Sequence, residues 1–188
     1  LRDEAIKSAE TIIELAPADA EARLDLAQVY ALYQRPEDGL QQYRYALRLE
    51  PNEPDYHRQY GAALLQERKY GEAQLAFQRM LDTAKEDGTR LSAVGSLTQI
   101  HQYQNSLDQL VTEFNRRIRN TPKKLSAYQE LARVFQESGS VEKSLNTLED
   151  ALQNVDDKAP ALQALIRSAY ELQDFQKVLA YYEQLIEQ

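Results

Sequence analysis

Residues 17–54 read PADAEARLDLAQVYALYQRPEDGLQQYRYALRLEPNEP, and this stretch decides the fold. Pro17 closes the phrase Glu-Leu-Ala-Pro, and Pro51 closes Arg-Leu-Glu-Pro 34 residues later. Between them Leu26, Ala27 and Tyr30 recur at helical spacing, and Tyr43, Ala46 and Leu47 do the same, giving two amphipathic stripes. Pro36 stands where the second helix would begin, a position that tolerates its missing N–H.

The same phrase recurs outward in both directions. Units begin at Ala20, Pro54, Gly88, Leu125 and Ala159, at intervals of 34, 34, 37 and 34. The second unit repeats the stripes with Tyr60, Gly61, Leu64 and then Ala73, Phe77, Met80. The fourth has Leu131, Ala132, Phe135 and then Ser144, Leu148, Ala151; the fifth has Leu165, Ile166, Ala169 and then Val178, Tyr182, Leu185. Residues 1–17 fit the second helix of a preceding unit through Ala5, Ala9 and Ile12. A fixed period of this length marks an array of stacked supersecondary units. It predicts helices at 2–16, 20–34, 36–49, 54–67, 70–84, 88–103, 105–120, 124–138, 140–154, 159–172 and 174–187, with no sheet. Ser138-Gly139-Ser140 supplies a glycine stop and a serine cap between two of them. The three extra residues of the third unit are expected to lengthen its second helix, which ends near Asn120. Ala27, Gly61, Gly95 and Ala132 share one place, where a small side chain admits a close helix crossing opposite an aromatic such as Tyr43 or Phe77.

This pattern of small and large residues, with proline closing a unit, resembles the tetratricopeptide repeat over the whole chain. The resemblance implies an all-α protein, a right-handed α-solenoid of antiparallel helix hairpins. It would be a single repeat domain over 1–188: a half unit at 1–19 and units at 20–53, 54–87, 88–124, 125–158 and 159–188. The chain is expected to be a fragment of a longer one. Departures are visible. Arg23, His57, Leu91, Tyr128 and Leu162 replace the family's usual Trp. In the third unit Thr98 and Leu107 stand where an aromatic and an Ala are expected, and in the fifth Ile166 and Val178 replace small residues. The Lys and Asn clamp by which some members hold a chaperone C-terminus is missing, since Leu24, Gln28, Ala62 and Ser96 occupy its places.

Composition narrows the function. The net charge of −8 disfavours nucleic acid, because phosphate neutralisation dominates that affinity. No apolar run is long enough for a membrane span, so no membrane insertion is expected. The absence of Cys removes thiol catalysis and cysteine metal sites. His57 and His101 are the only histidines and have no second ligand at metal spacing. No phosphate loop or nucleophile elbow occurs. No catalytic residue, metal or cofactor is therefore expected, and the chain is read as a non-enzyme.

The family resemblance implies a concave binding face lined by the first helix of each unit. By the register that face takes Glu21, Leu24, Gln28 and Leu32, then Asp55, Arg58, Ala62 and Gln66, then Ser92, Ser96, Gln99 and Ile100. Gln129, Arg133 and Glu137 follow, and Gln163, Arg167 and Glu171 repeat them at the same spacing. Gln28, Arg58, Gln129, Arg133, Gln163, Arg167 and Tyr170 are the candidate partner-binding residues. The two Arg either hold a ligand or form local ion pairs with Glu137 and Glu171. A basic run at Arg116, Arg117, Arg119, Lys123 and Lys124 reads as a solvated helix end beside an acidic-partner alternative. The expected function is a scaffold holding a peptide segment of a protein partner. The alternatives are self-association into a homo-oligomer through uncapped terminal helices, or a targeting appendage of an enzyme elsewhere in the parent chain.

Overall fold

The computed structural model describes residues 2–187, and these form eleven α-helices with no strand among the described residues. They are α1 (Arg2–Leu15), α2 (Ala20–Leu32), α3 (Pro36–Leu49), α4 (Pro54–Gln66), α5 (Tyr70–Thr83), α6 (Asp87–Tyr103), α7 (Leu107–Asn120), α8 (Leu125–Glu137), α9 (Val141–Asn154), α10 (Ala159–Glu171) and α11 (Phe175–Ile186). Each expected helix is present, with ends displaced by no more than two residues.

The hairpin turns explain this regularity. Gln34, Arg68, Asn105, Gly139 and Gln173 all have positive φ, between 52° and 76°. Around the first, Arg35 N–H donates to the Tyr30 carbonyl at 2.8 Å and Gln34 N–H to that of Ala31 at 3.2 Å. The same pair of bonds recurs at the other four turns, from Lys69 to Leu64, Ser106 to His101, Ser140 to Phe135 and Asp174 to Ala169. This is the Schellman closure, which satisfies the carbonyls left at a helix end. Only one of the five sites is Gly, so four turns hold an L side chain in the left-handed region. At Ser140 the backbone turns as expected, but the hydroxyl makes no capping hydrogen bond.

Counting from these turns corrects the register of the third unit. The second helix α7 has 14 residues, like α3, α5 and α9, whereas the first helix α6 has 17 against 13 elsewhere. The extra residues therefore lie in the first helix. The counterpart of Ala27, Gly61 and Ala132 is consequently Thr98, not Gly95, and that of the usual Trp is Val94, not Leu91. Both Thr98 and Val94 are fully buried. Thr98 turns its hydroxyl back to the Val94 carbonyl at 2.8 Å, which lets a polar residue occupy that crossing. His101, not Thr98, takes the place of Tyr30, and its Nδ1 meets the Ser106 hydroxyl at 2.8 Å. Leu110, not Leu107, fills the small-residue place of the second helix.

The chain divides into two units, 1–93 and 94–188. In the first, Ala20, Leu24, Ala27, Tyr43, Ala46 and Tyr56 form one buried cluster between α2, α3 and α4, while Ile6, Leu26 and Tyr30 join α1 to α2. The expected close crossings are present. A Cβ on Gly61 would lie 2.8 Å from the Phe77 ring, and one on Gly39 would lie 2.9 Å from the Ala27 carbonyl oxygen. In the second unit Tyr128, Ala132, Leu145, Leu148, Leu162, Leu165 and Tyr181 belong to one cluster spanning α8 to α11. Ala132 is buried there as expected.

The places of the usual Trp show why three different residues serve. Arg23 Nη2 donates to the Pro17 carbonyl at 2.7 Å, His57 Nε2 meets that of Pro51 at 2.8 Å, and Tyr128 Oη donates to that of Pro122 at 2.9 Å. Each donor reaches back six residues to the proline closing the previous unit, fixing the approach of its helix. The other two places hold Val94 and Leu162, which are apolar and fully buried.

Candidate protein-interaction face

Each first helix turns one stripe away from its own hairpin partner, and the polar side chains on that stripe differ between the units. In the first unit they are largely engaged with one another. Gln28 Nε2 donates to Gln59 Oε1 at 3.2 Å, and Gln59 donates in turn to Asp55 at 2.7 Å. Arg58 Nη2 pairs with Asp55 Oδ1 at 2.6 Å. Burial opposes ionisation of Asp55, but hydrogen bonds from Gln59 and Arg58 outweigh it and hold its carboxyl below the usual range. Leu24 is buried in the core, at 5% exposure, so it does not line this face as the sequence register suggested.

In the second unit the corrected register removes Ile100, which is fully buried, and brings Gly95 onto the stripe with Gln99 and Tyr103. Gly95 faces α8: a Cβ there would lie 3.5 Å from Glu137 Oε1 and 3.7 Å from Arg133 Nη2. Its small size makes room for a side-chain pair. Arg133 Nη2 meets Glu137 Oε1 at 2.5 Å, so this Arg forms the local ion pair. Its Nε is enclosed without a hydrogen-bond partner.

Arg167 behaves differently. It is exposed and has no ion pair or hydrogen bond among the described residues. The alternative of a local pair with Glu171 is not formed; Glu171 Oε2 accepts from Gln136 Nε2 of α8 at 3.2 Å. A matching bond runs from Gln102 Nε2 to the Glu137 carbonyl at 3.3 Å. Gln102 and Gln136 thus tie successive first helices together along one edge. Sequence reasoning passed over both, although they stand 34 residues apart and three before their turns. The corresponding place on α10 is Tyr170.

Tyr170 is 64% exposed and lies edge-on to Phe175, with ring centroids 6.0 Å apart at 78°. Beside it runs a groove of about 580 Å³, with Ile166, Val178, Tyr182 and Leu185 on its apolar side and Gln163 and Arg167 on its polar side. Of the seven sequence-predicted residues, Gln163, Arg167 and Tyr170 share this groove, and Gln129 and Arg133 lie on α8. Gln28 and Arg58 belong to the other unit.

The basic run is mostly structural at its centre. Arg117 meets Glu113 at 2.7 Å and the buried Glu130 at 3.5 Å, and Lys123 holds Asp156 at 3.0 Å. Arg117 therefore serves a buried carboxylate and is not simply a solvated cation. Among the described residues no group of three or more potential ligands could hold a metal ion, and no helix is long and apolar enough to cross a membrane.

The tetratricopeptide repeat model matches residues 33–88, which hold α3, α4 and α5. The turn that closes each hairpin of this match recurs through residue 173. Residues 33–88 match the tetratricopeptide repeat. No curated protein matches the chain. Among solved structures, this chain is similar to PilF of Pseudomonas aeruginosa, at 20% identity and a TM-score of 0.52, over 98% of this chain and 82% of that one. It is similar to MamA at 18% identity and a TM-score of 0.52, over 81% and 88% of the two chains. YrrB, described as a TPR protein with an unusual peptide-binding site, gives 15% identity and a TM-score of 0.50 over 97% and 92%. Identities this low speak to the fold alone.

Proposed function

We propose that this chain is a protein-interaction scaffold that receives a peptide segment of a partner on the first-helix face of α8 and α10. The observation that carries the reading is Arg167, an exposed guanidinium with no partner among the described residues, set between Gln163 and Tyr170 on an apolar groove. A guanidinium offers five donors in a planar fork suited to a carboxylate or main-chain carbonyls, and the Gln amide can pair with a peptide unit in both senses. Tyr170 and Tyr182 provide aromatic surface at low entropic cost, the composition of binding hot spots. Repeat arrays bind through extended surfaces of this kind, and the peptide site described for YrrB is in keeping with it. The ligand expected is an extended or helical segment with an acidic side chain near Arg167 and an apolar residue over Ile166.

Selection of a displayed random-peptide library against the folded chain tests this. Enriched peptides should carry that acidic and apolar combination. The double change Arg133→Ala and Arg167→Ala should weaken them by about tenfold or more, with most of the loss from Arg167 because Glu137 already engages Arg133. Selected peptides that bind the double variant equally well, with helicity unchanged, would place the site elsewhere.

A further inference from the structure

Counted from the turns, one place on the first helices is Ala at Ala22, Ala93, Ala127 and Ala161, but Tyr at Tyr56. Tyr56 is 7% exposed and belongs to the buried cluster of α2, α3 and α4. Its hydroxyl has no hydrogen bond among the described residues, and the side chain lines a polar pocket of about 520 Å³ between the starts of α2 and α4. Asp19, Glu21, Glu50, Glu53 and Asp55 line the same pocket, and no Lys or Arg does. Burial first, and then the charges of Glu50, Glu21, Glu53 and Asp19, hold the Tyr56 hydroxyl above the usual tyrosine range, so the phenol stands within the field of four carboxylates.

Part of this acidity belongs to the fold. Asp19 caps α2 by accepting from Ala22 N–H at 3.0 Å, and Glu53 accepts from Asp55 N–H at 3.3 Å at the start of α4. Asp55 is held by Arg58 and Gln59. Carboxylates at helix starts are favoured by the helix dipole. Glu50 has no such reason. It caps the C-terminus of α3, where the dipole disfavours an anion, and its counterparts Ala84, Thr121 and Val155 carry no charge. Glu21 and Glu50 are exposed and have no hydrogen bond or ion pair among the described residues. The acidity is also local, since the N-caps of α8 and α10, which correspond to Asp19 and Glu53, are Lys124 and Lys158.

We propose that this pocket docks an arginine side chain of a protein partner. The two unpaired carboxylates and the buried, unpartnered phenol call for a cation that also donates hydrogen bonds. The spread of these groups selects its shape. Among the described residues no three potential ligands are placed to hold a metal ion. A guanidinium presents five donors in one plane, enough to serve Glu21, Glu50 and the Tyr56 hydroxyl together, whereas an ammonium is a compact point charge. The pocket lies between two first helices that share the cluster of Ala20, Leu24 and Tyr56, not on a terminal helix. The inference shares the scaffold reading but not its ligand site, because Arg133 and Arg167 belong to the other unit.

Amide shift mapping of the ¹⁵N-labelled 188-residue chain tests this with the capped peptide acetyl-Gly-Arg-Gly-amide at low ionic strength, where exposed charges are least screened. Amides within 19–22 and 50–56 should move, and the matching citrulline peptide, which keeps the shape without the charge, should leave them in place. Glu21→Gln together with Glu50→Gln should weaken the arginine peptide by about fivefold or more. Tyr56→Phe should weaken it by about threefold with circular dichroism unchanged. That change removes no charge, so general attraction to a chain of net charge −8 would not register it. The Arg133→Ala, Arg167→Ala variant should bind the arginine peptide as the parent does, which separates this site from the α8–α10 face. Displayed peptides selected on that variant should be enriched in arginine. Equal shifts with the citrulline peptide, binding indifferent to Tyr56→Phe and to the paired Gln changes, or a selection without arginine would overturn the proposal. A capped lysine peptide bound as tightly would overturn the choice of a guanidinium.

Discussion

Replacing Gly39 with Ala tests the packing argument at its tightest point. Gly39 is the fourth residue of α3, and helix propensity alone favours Ala there by up to about 1 kcal/mol. The added Cβ, however, would sit 2.9 Å from the Ala27 carbonyl oxygen and 3.7 Å from Tyr30 Cβ. Ordinary contacts begin about half an ångström further out, and the obstructing atom is backbone of α2 that no rotamer change can move. Separating α2 from α3 by that amount is overpacking, which costs about 1–3 kcal/mol. The net expectation is a loss of about 1 kcal/mol. Gly71→Ala provides the control, since nothing lies within 4 Å of its added Cβ. That change should stabilise by about 0.5 kcal/mol, less than a mid-helix site because Gly71 is in the first turn of α5. Urea unfolding followed by circular dichroism reads both, and thermal midpoints should separate by about 3–6 °C for a chain of this size. A Gly39→Ala protein as stable as Gly71→Ala would show that the α2–α3 crossing is looser than described.

Four further outcomes follow from the same structure. Arg117→Ala should destabilise by about 1–3 kcal/mol in an equilibrium unfolding series, because it removes a guanidinium that lies 3.5 Å from the buried Glu130 carboxylate and pairs with Glu113. Tyr128→Phe should cost about 1 kcal/mol, because it strips the Pro122 carbonyl of its donor while leaving the ring in place. At the turns, Gly139→Ala should destabilise, whereas Gln173→Gly should stabilise or be neutral in thermal melts, since each changes the strain of a positive φ. Burial first, and then the hydrogen bond to Glu10, pushes the Tyr30 hydroxyl up to about 12, and burial with Glu149 raises Tyr181 in the same direction. Neutral Tyr is thus favoured in the folded state. The associated stability is full below pH 10 and is lost as pH rises through about 12, and ultraviolet titration should show these two hydroxyls ionising last.

The fold was legible because two independent signals agree, the 34-residue period and the amphipathic stripes within it. Where a unit keeps the period, residues such as Ala27, Gly61 and Ala132 were placed correctly from sequence. The third unit misled because its start was set by counting forward from Gly88, while the structure is registered backward from the turn at Asn105. Helix geometry tolerates added residues at an open N-terminal end, but the Schellman turn fixes what precedes it, so a correct count runs from the turn. Only Gly139 and, more weakly, Asn105 advertised that turn chemically; Gln34, Arg68 and Gln173 did not. The candidate face was legible as a spacing. The engagement of its side chains was not, because whether Glu171 pairs with Arg167 or accepts from Gln136 depends on how α10 lies against α8. Burial of Leu24 likewise depends on which helices have neighbours.

The central claim is that the α8–α10 face holds the ligand, and backbone amide shift mapping with a library-selected peptide tests it most directly. Titrating unlabelled peptide into the ¹⁵N-labelled chain should move the amides of residues 129–137 and 163–171 first and furthest, with the Arg167 side-chain Nε–H signal shifting alongside them. Shifts concentrated instead on α9 and α11, with the Arg167 signal unmoved at saturation, would contradict the account.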